Sequence, residues 1–266
     1  MRVNGVLSDQ ICSSTGSPHG CVLYPLLFIL YTNMCRSKRV DRFILKYADD
    51  SVIVSLLQGN EVAQDFVDWC DRSFLHMNIS KTKDMHIDFR KLPSAKELTS
   101  IKGQTVECVD NYKYLGTIID NKLNFETNCE AVYKKGNQRL YCLRKLSSFH
   151  IDSKMLTMFY RCFIESVISF SLVSWFSNLS LKNKNSLNQI VRWASRLIGE
   201  PQLNPESLHT RQLQRLAGSI LEDGSHPLYG EFQLLPSGRR YKMPACKTKR
   251  YRGSFVPSAV KTLNSK

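Results

Sequence analysis

With 266 residues, the chain has room for one large domain or two small ones and for a sizeable core. Its 42% hydrophobic and 23% charged residues exclude disorder as the default. The formal net charge of +14 favours a polyanionic partner, because each Lys or Arg set against a phosphate releases condensed counterions.

The nine cysteines, at 12, 21, 35, 70, 108, 129, 142, 162 and 246, contain no CxxC pair. That scatter excludes a zinc ribbon or knuckle and fits reduced thiols, most of them small core residues. The opening MRVNGVLSDQ lacks the apolar stretch of a secretory leader. The longest apolar run, Val22 to Tyr31, is too short to span a bilayer and contains Pro25, and a second, at 163–175, carries Glu165. Both read as buried segments of an intracellular protein, nuclear or cytoplasmic, with no membrane partner. No internal repeat is present, and nothing in the sequence sets the oligomeric state.

In chain order, residues 11–20 are small, polar and turn-forming, and lead into VLYPLLFILYTNM, which predicts a buried core helix. FILKY and SVIVSLL follow as two β-rich runs separated by Ala48-Asp49-Asp50, a predicted antiparallel hairpin with an acidic tip. From Asn60 to Leu75 the apolar residues recur at helical spacing, with Asn78 as a stop. Met85 to Phe89 alternates like a strand, 91–100 reads as a polar loop, and Thr105 to Val109 and Tyr112 to Ile119 are strand-like. Helical periodicity then covers 129–147, 152–176 and 184–198, with Asp152 as an N-cap and Gly199 as a stop, and one more helix is expected from Pro205 to Leu221. The remainder is rich in Gly, Pro and basic residues. Arg239, Arg240, Lys242, Lys247, Lys249, Arg250 and Arg252, interleaved with Tyr241 and Tyr251, read equally as a backbone-tracking, base-stacking segment or as a solvated tail.

The expected class is therefore α+β, with the strands in the first part and helices in the second. The acidic hairpin is its most informative feature. Two adjacent carboxylates on an apolar strand pair repel each other unless a cation intervenes, and Mg2+ is a hard cation that takes oxygen ligands while leaving sites for substrate phosphates. Two such ions can activate a hydroxyl and stabilise a leaving pyrophosphate. An Asp-Asp pair alone is most often just a turn.

The company it keeps lifts it. Ser14-Thr15-Gly16-Ser17-Pro18-His19-Gly20-Cys21-Val22-Leu23, followed by Pro25-Leu26-Leu27-Phe28, resembles the template-contacting motif B of non-LTR (LINE-type) retrotransposon reverse transcriptases. Tyr47-Ala48-Asp49-Asp50 resembles the family's motif C, Asn78 to Lys83 its motif D, and Tyr112-Lys113-Tyr114-Leu115-Gly116 its primer-grip motif E. The resemblance implies a partial right-hand polymerase palm over 1–125, a helical thumb over 126–200 and a basic C-terminal extension over 201–266. It implies an RNA or DNA template-primer as partner and Mg2+ as cofactor, held by Asp49 and Asp50. By the same resemblance Gly16, Ser17, Pro18, His19 and Gly20 shape the loop under template and nucleotide. Lys81 lies near the leaving pyrophosphate, and Tyr114, Leu115 and Gly116 hold the primer end.

The sequence also departs from that family. Motif A, with its further metal-binding aspartate, lies upstream of motif B in the family; this sequence opens a few residues before motif B, and neither Asp9 nor Asp41 stands in a matching context. The family's glutamine after Ser-Pro is His19, its Ser before Pro is Tyr24, and its Asp after Tyr-Thr-Asn is Met34. The expectation is an RNA-directed DNA polymerase fragment that does not polymerise alone, with a non-catalytic nucleic-acid-binding remnant as the alternative. Tyr112 to Leu146 also resembles a short N-terminal segment of alkylation-repair-type dioxygenase and tRNA methyltransferase proteins. His86-Ile87-Asp88 has the form of half an iron facial triad, with His150, His209 and His226 as distal candidates, but the same string recurs at His150-Ile151-Asp152 and a surface strand explains it better.

Overall fold

The computed structural model describes residues 2–3, 6–7, 22–37, 41–56, 61–90 and 98–265. Helices and strands are mixed, compatible with the α+β class. The chain divides into two compact units, one taking the described residues of 1–84 and 95–108, the other those of 85–94 and 109–266.

In the first unit, strands β1 (Arg2–Val3) and β2 (Val6–Leu7) pair antiparallel and helix α1 (Leu23–Thr32) follows. The sequence predicts a core helix here, yet α1 turns its apolar residues outward: Leu27 and Leu30 keep 51% and 62% of their surface, and Thr32 is its buried residue. Burial depends on what packs against a segment, and no described element covers this side of α1. The helix is held instead by polar contacts at its C-terminal end. Lys46 Nζ donates to the Thr32 carbonyl, where a cation suits the helix dipole, and the Tyr31 hydroxyl donates to the Ser73 carbonyl.

Strands β3 (Arg42–Tyr47) and β4 (Asp50–Ser55) form the predicted hairpin, in register from Arg42↔Ser55 to Tyr47↔Asp50. Helix α2 (Glu61–Arg72) turns Val67 and Cys70 inward, and the buried Arg42 guanidinium reaches Asp65 of α2 at 3.1 Å. Four two-residue strands complete the unit. These are β5 (Lys83–Asp84), β6 (Ser100–Ile101), β7 (Gln104–Thr105) and β8 (Glu107–Cys108); β6 and β7 pair antiparallel, β5 and β8 parallel. The core is small: Val67, Ile101 and Val106, flanked by Ala63, Met77 and Ile79. The strand expected over Met85 to Phe89 does not form. Asp88 accepts from the Arg90 backbone N–H at 2.9 Å and from its guanidinium, a local turn that competes with strand pairing.

The second unit opens with the hairpin of β9 (Asn111–Tyr114) and β10 (Thr117–Asp120) and continues as helices. Helix α3 (Glu126–Ser148) packs along α7 (Leu181–Ile198), with α4 (Ser153–Phe159) between the two in sequence. A Cβ added at Gly136 of α3 would lie 2.6 Å from Ile190 Cδ1, so glycine sets how closely α3 and α7 approach. Asp152 caps α4 by accepting from the Lys154 N–H, and Gly199, at φ +84°, ends α7, both as predicted.

The predicted 152–176 helix is not continuous. After α4 the backbone widens into a π-helical segment, Tyr160–Glu165, whose Phe163 carbonyl accepts from the Arg139 guanidinium of α3. Helix α5 (Ser166–Ser169) follows, then Phe170 turns extended and Ser171 takes φ +49° before α6 (Leu172–Trp175). Among the described residues Ser153–Asn178 is the stretch long and apolar enough to cross a membrane. Its Tyr160, Ile164 and Ile168 are fully buried against Leu143 of α3 and Ala194 of α7, the position of a core helix.

A second cluster surrounds Trp175, whose indole N–H donates to the Phe170 carbonyl at 3.0 Å. Helix α8 (Pro205–Glu222), capped by Asn204, carries a third, in which Leu213, Ala217 and Ile220 meet Phe232, Ala259 and Val260. The last three come from the segment that composition describes as a basic remainder. It contains helices α9 (Lys249–Arg252) and α10 (Phe255–Leu263), so much of it is folded onto α8.

Candidate active site

At the acidic hairpin the turn has two residues, Ala48 and Asp49, with Ala48 at φ +51°. A positive φ at the first central position matches the right-handed twist of the strands it joins. Asp50 is already in β4, opposite Tyr47, and not at the tip as the sequence suggests. Asp49 and Asp50 are both exposed. Phe43, Leu45 and Tyr47 alternate on one face of β3, opposite Val54, Val52 and Asp50, and all three β3 side chains are exposed. An apolar, uncovered sheet face thus ends at a carboxylate.

As hard oxygen donors, Asp49 and Asp50 fit the protein share of one Mg2+ ion, which usually takes one or two carboxylates and fills its shell with water and substrate oxygens. They do not make a complete two-ion site: no group of three His, Cys, Asp or Glu that could hold a metal occurs among the described residues. His86 and Asp88 therefore have no third metal-binding residue beside them among the described residues. His209 is buried against Phe176 with Nε2 3.2 Å from Ser177 Oγ.

Lys81 lies in a turn organised by Asn78, whose Oδ1 accepts from the Lys81 N–H at 3.1 Å and from Ser80 Oγ at 2.8 Å. The helix before it ends at Arg72, so Asn78 is a turn former and not the stop. Lys81 is exposed, and among the described residues no ion pair joins it to Asp49 or Asp50. Gly16, Ser17, Pro18, His19 and Gly20 lie outside the described residues.

In the second unit Tyr114, Leu115 and Gly116 do come together. Tyr114 pairs with Thr117, and Leu115 (φ +44°) and Gly116 (φ +91°) form a two-residue turn with both φ positive, the pattern that suits a tight hairpin. Phe170 lies beneath it, and a Cβ on Gly116 would be 3.1 Å from the ring. Gly116→Val is expected to cost about 2–3 kcal/mol, from left-handed backbone strain plus the ring contact, read as a lowered urea midpoint.

Sequence reading missed the residue that anchors this hairpin. Asp120, at the end of β10, is buried, and its carboxylate accepts from the backbone N–H groups of Lys122 (3.0 Å), Asn124 (3.2 Å) and Phe125 (2.6 Å). It holds a turn in which Leu123 and Phe125 both take positive φ, immediately before α3. Buried Asn128 of α3 accepts in return from the Ile118 N–H at 3.0 Å, so the hairpin and α3 are tied at two points. The available signal was an Asp four residues before an Asn and five before an aromatic, which alone reads as an ordinary turn.

Of the basic C-terminal residues, Arg250 is committed to Phe89, its guanidinium 3.8 Å from the ring centroid, and Tyr241 packs against the third core cluster. Neither is presented for base stacking; Arg239, Arg240, Lys242, Lys247, Lys249 and Arg252 are exposed. On α3 the exposed residues Lys134, Gln138, Tyr141 and Lys145 follow one stripe, with Lys145 Nζ 5.9 Å from the Tyr141 ring centroid.

Residues 1–119 match the model of the family described as reverse transcriptase (RNA-dependent DNA polymerase). The Drosophila melanogaster protein named "Probable RNA-directed DNA polymerase from transposon BS" is 26% identical over 163 residues, 55% of this chain and 18% of that protein. The RNA-directed DNA polymerases from mobile element jockey are 25% identical in Drosophila melanogaster, over 50% of this chain and 16% of that protein, and 20% identical in Drosophila funebris, over 80% and 25%. The chain spans a quarter or less of the length of these curated relatives. Residues 125–166 match the family described as "Alkylated DNA repair protein alkB homolog 8, N-terminal", a stretch that here is α3, α4 and the π-helical segment. No solved structure matches the chain. The first 119 residues are a reverse transcriptase region. The region is of the non-LTR retrotransposon type.

Proposed function

We propose that the chain is a palm-and-thumb part of an RNA-directed DNA polymerase, with the palm through residue 125, the thumb over 126–200 and a C-terminal extension over 201–266. The observation that carries this is a carboxylate pair on a two-residue hairpin turn, inside the stretch that matches the reverse transcriptase family. In this reading Asp49 and Asp50 hold Mg2+, which when bound neutralises phosphate charge during nucleotide addition. Lys81 offers an exposed cation to a leaving pyrophosphate, the Leu115-Gly116 turn supports the primer end, and the α3 stripe tracks the backbone of a template-primer. The loop at 16–20 lies under the template base, and the protein works inside the cell.

Two carboxylates without a third favour a further proposal, that these 266 residues do not extend a primer unaided. The uncovered apolar face of β3 and the outward side of α1 fit a palm whose remaining layer is supplied by another segment or chain. A nucleic-acid-binding remnant without catalysis is the second reading, favoured by the same missing donor and by the +14 charge.

Primer extension on an annealed RNA-DNA template-primer with Mg2+ and deoxynucleotides tests both, against Asp49→Ala/Asp50→Ala. The expected result is no extension by either protein and equal, salt-dependent binding of the duplex. Extension by the wild type that the double variant lacks would overturn the incompetence and assign catalysis to the carboxylates. Absence of duplex binding would overturn the polymerase reading itself.

A further inference from the structure

The C-terminal part of the second unit contains a groove of about 770 Å³, lined by residues of α8, α9 and α10 and of the 243–246 segment. That is within the range of about 300–1,000 Å³ typical of ligand sites. Two cations, Arg252 and Lys261, line it and no carboxylate does. Neither cation has an acidic partner among the described residues. A cleft of one sign with low-dielectric walls focuses its field on an incoming counter-charge.

The rest of the lining narrows the ligand. Gln214 and Ser258 bring side-chain donors that make no hydrogen bond among the described residues, and Leu213 and Met243 add apolar surface. A purely apolar ligand would leave two cations desolvated and unpaired, which is costly. A small inorganic anion would leave the apolar surface and most of the volume unused. A group with phosphate at one end and a flat, apolar-faced ring at the other uses all three features.

We propose that this groove binds a phosphate-bearing nucleotide unit, with Arg252 and Lys261 on the phosphate and the apolar lining under the base. The unit comes either as a free nucleotide or as one member of a single strand. Only the strand source rests on the polymerase reading given above.

The test uses the full chain and a fluorescein-labelled thymidylate hexamer followed by anisotropy, with AMP as competitor. Arg252→Ala/Lys261→Ala is expected to weaken hexamer binding at least tenfold and to flatten the log affinity against log salt slope by about 1.4, two phosphate contacts on a single strand. Thr210→Trp, which fills the groove from α8 without changing charge, is expected to weaken it as much. Lys182→Ala/Arg192→Ala, a charge-matched pair on α7 outside the groove, is expected to change it less than twofold. Equal losses in the groove and control pairs, or no loss in Thr210→Trp, would overturn the proposal. Hexamer affinity at least a hundredfold above that of AMP identifies a strand, comparable affinities identify a free nucleotide, and binding of neither overturns the site. Primer extension plays no part in the readout, so the carboxylate reading and the groove stand or fall separately.

Discussion

Asp120→Ala is expected to destabilise the second unit by about 3–4 kcal/mol, since it removes a buried acceptor from three backbone N–H groups and hydrogen bonds to a charged acceptor contribute about 1.5–3 kcal/mol each without adding fully. The loss is concentrated at one place. Leu123 and Phe125 sit in the left-handed region, a conformation L-residues leave unless something holds them there, and the Asp120 carboxylate is what holds this turn. Asp120→Asn keeps one acceptor oxygen and is expected to lose about half as much. Urea unfolding followed by far-UV circular dichroism measures both; a loss below about 1 kcal/mol in Asp120→Ala would show that the turn is fixed by packing alone.

The second large effect is acid sensitivity at His209. Burial, followed by the nearby Lys184 cation and opposed by Glu206, pushes its pKa down from 6.5 to about 4. A folded-state pKa below the unfolded one means that the unfolded chain takes up the proton first as pH falls. The stabilising contribution is therefore complete above pH 6.5, declines between 6.5 and about 4, and is gone below. Over that window the loss is expected to be about 2–3 kcal/mol. His209→Gln keeps a hydrogen-bonding partner for Ser177 and does not titrate, so the wild-type-minus-variant difference in unfolding free energy isolates this one group from the carboxylates. A difference that stays flat from pH 7 to 4 would show that the imidazole reaches water in the native state.

Local rules made part of this fold legible. β-rich runs on either side of Ala48-Asp49 predict a hairpin, Asp152 and Gly199 mark helix ends by their own chemistry, and Leu115-Gly116 is a turn because glycine takes φ +91° freely. What failed depended on distant partners. The residues of α1 are as apolar as those of a core helix, and whether they are covered is decided by other segments. The break at Phe170–Ser171 has no glycine or proline to announce it; the Trp175 indole bonded to the Phe170 carbonyl supports it from outside the local sequence. Pro257 makes α10 look like loop, yet it stands in the first turn, where the missing N–H costs nothing. For the candidate site, the residue types and order of Asp49, Asp50 and Leu115-Gly116 were readable, whereas Asp120 gained its meaning from three backbone groups placed around it by folding.

The π-helical segment between α4 and α5 has a consequence for how this chain tolerates change in length. A wide turn accommodates one more residue than an α-helical turn would, and each residue of an α-helix advances about 100° around the axis. Deleting a single residue between 160 and 165 would let the turn close into ordinary helix while rotating α4 relative to α5 by about that angle. Leu156 would then face away from the cluster it shares with Ile164 and Ile168, and Arg139 would lose the Phe163 carbonyl it now holds. This short stretch is thus where insertions and deletions are least neutral, although its own sequence, YRCFIE, shows no sign of it.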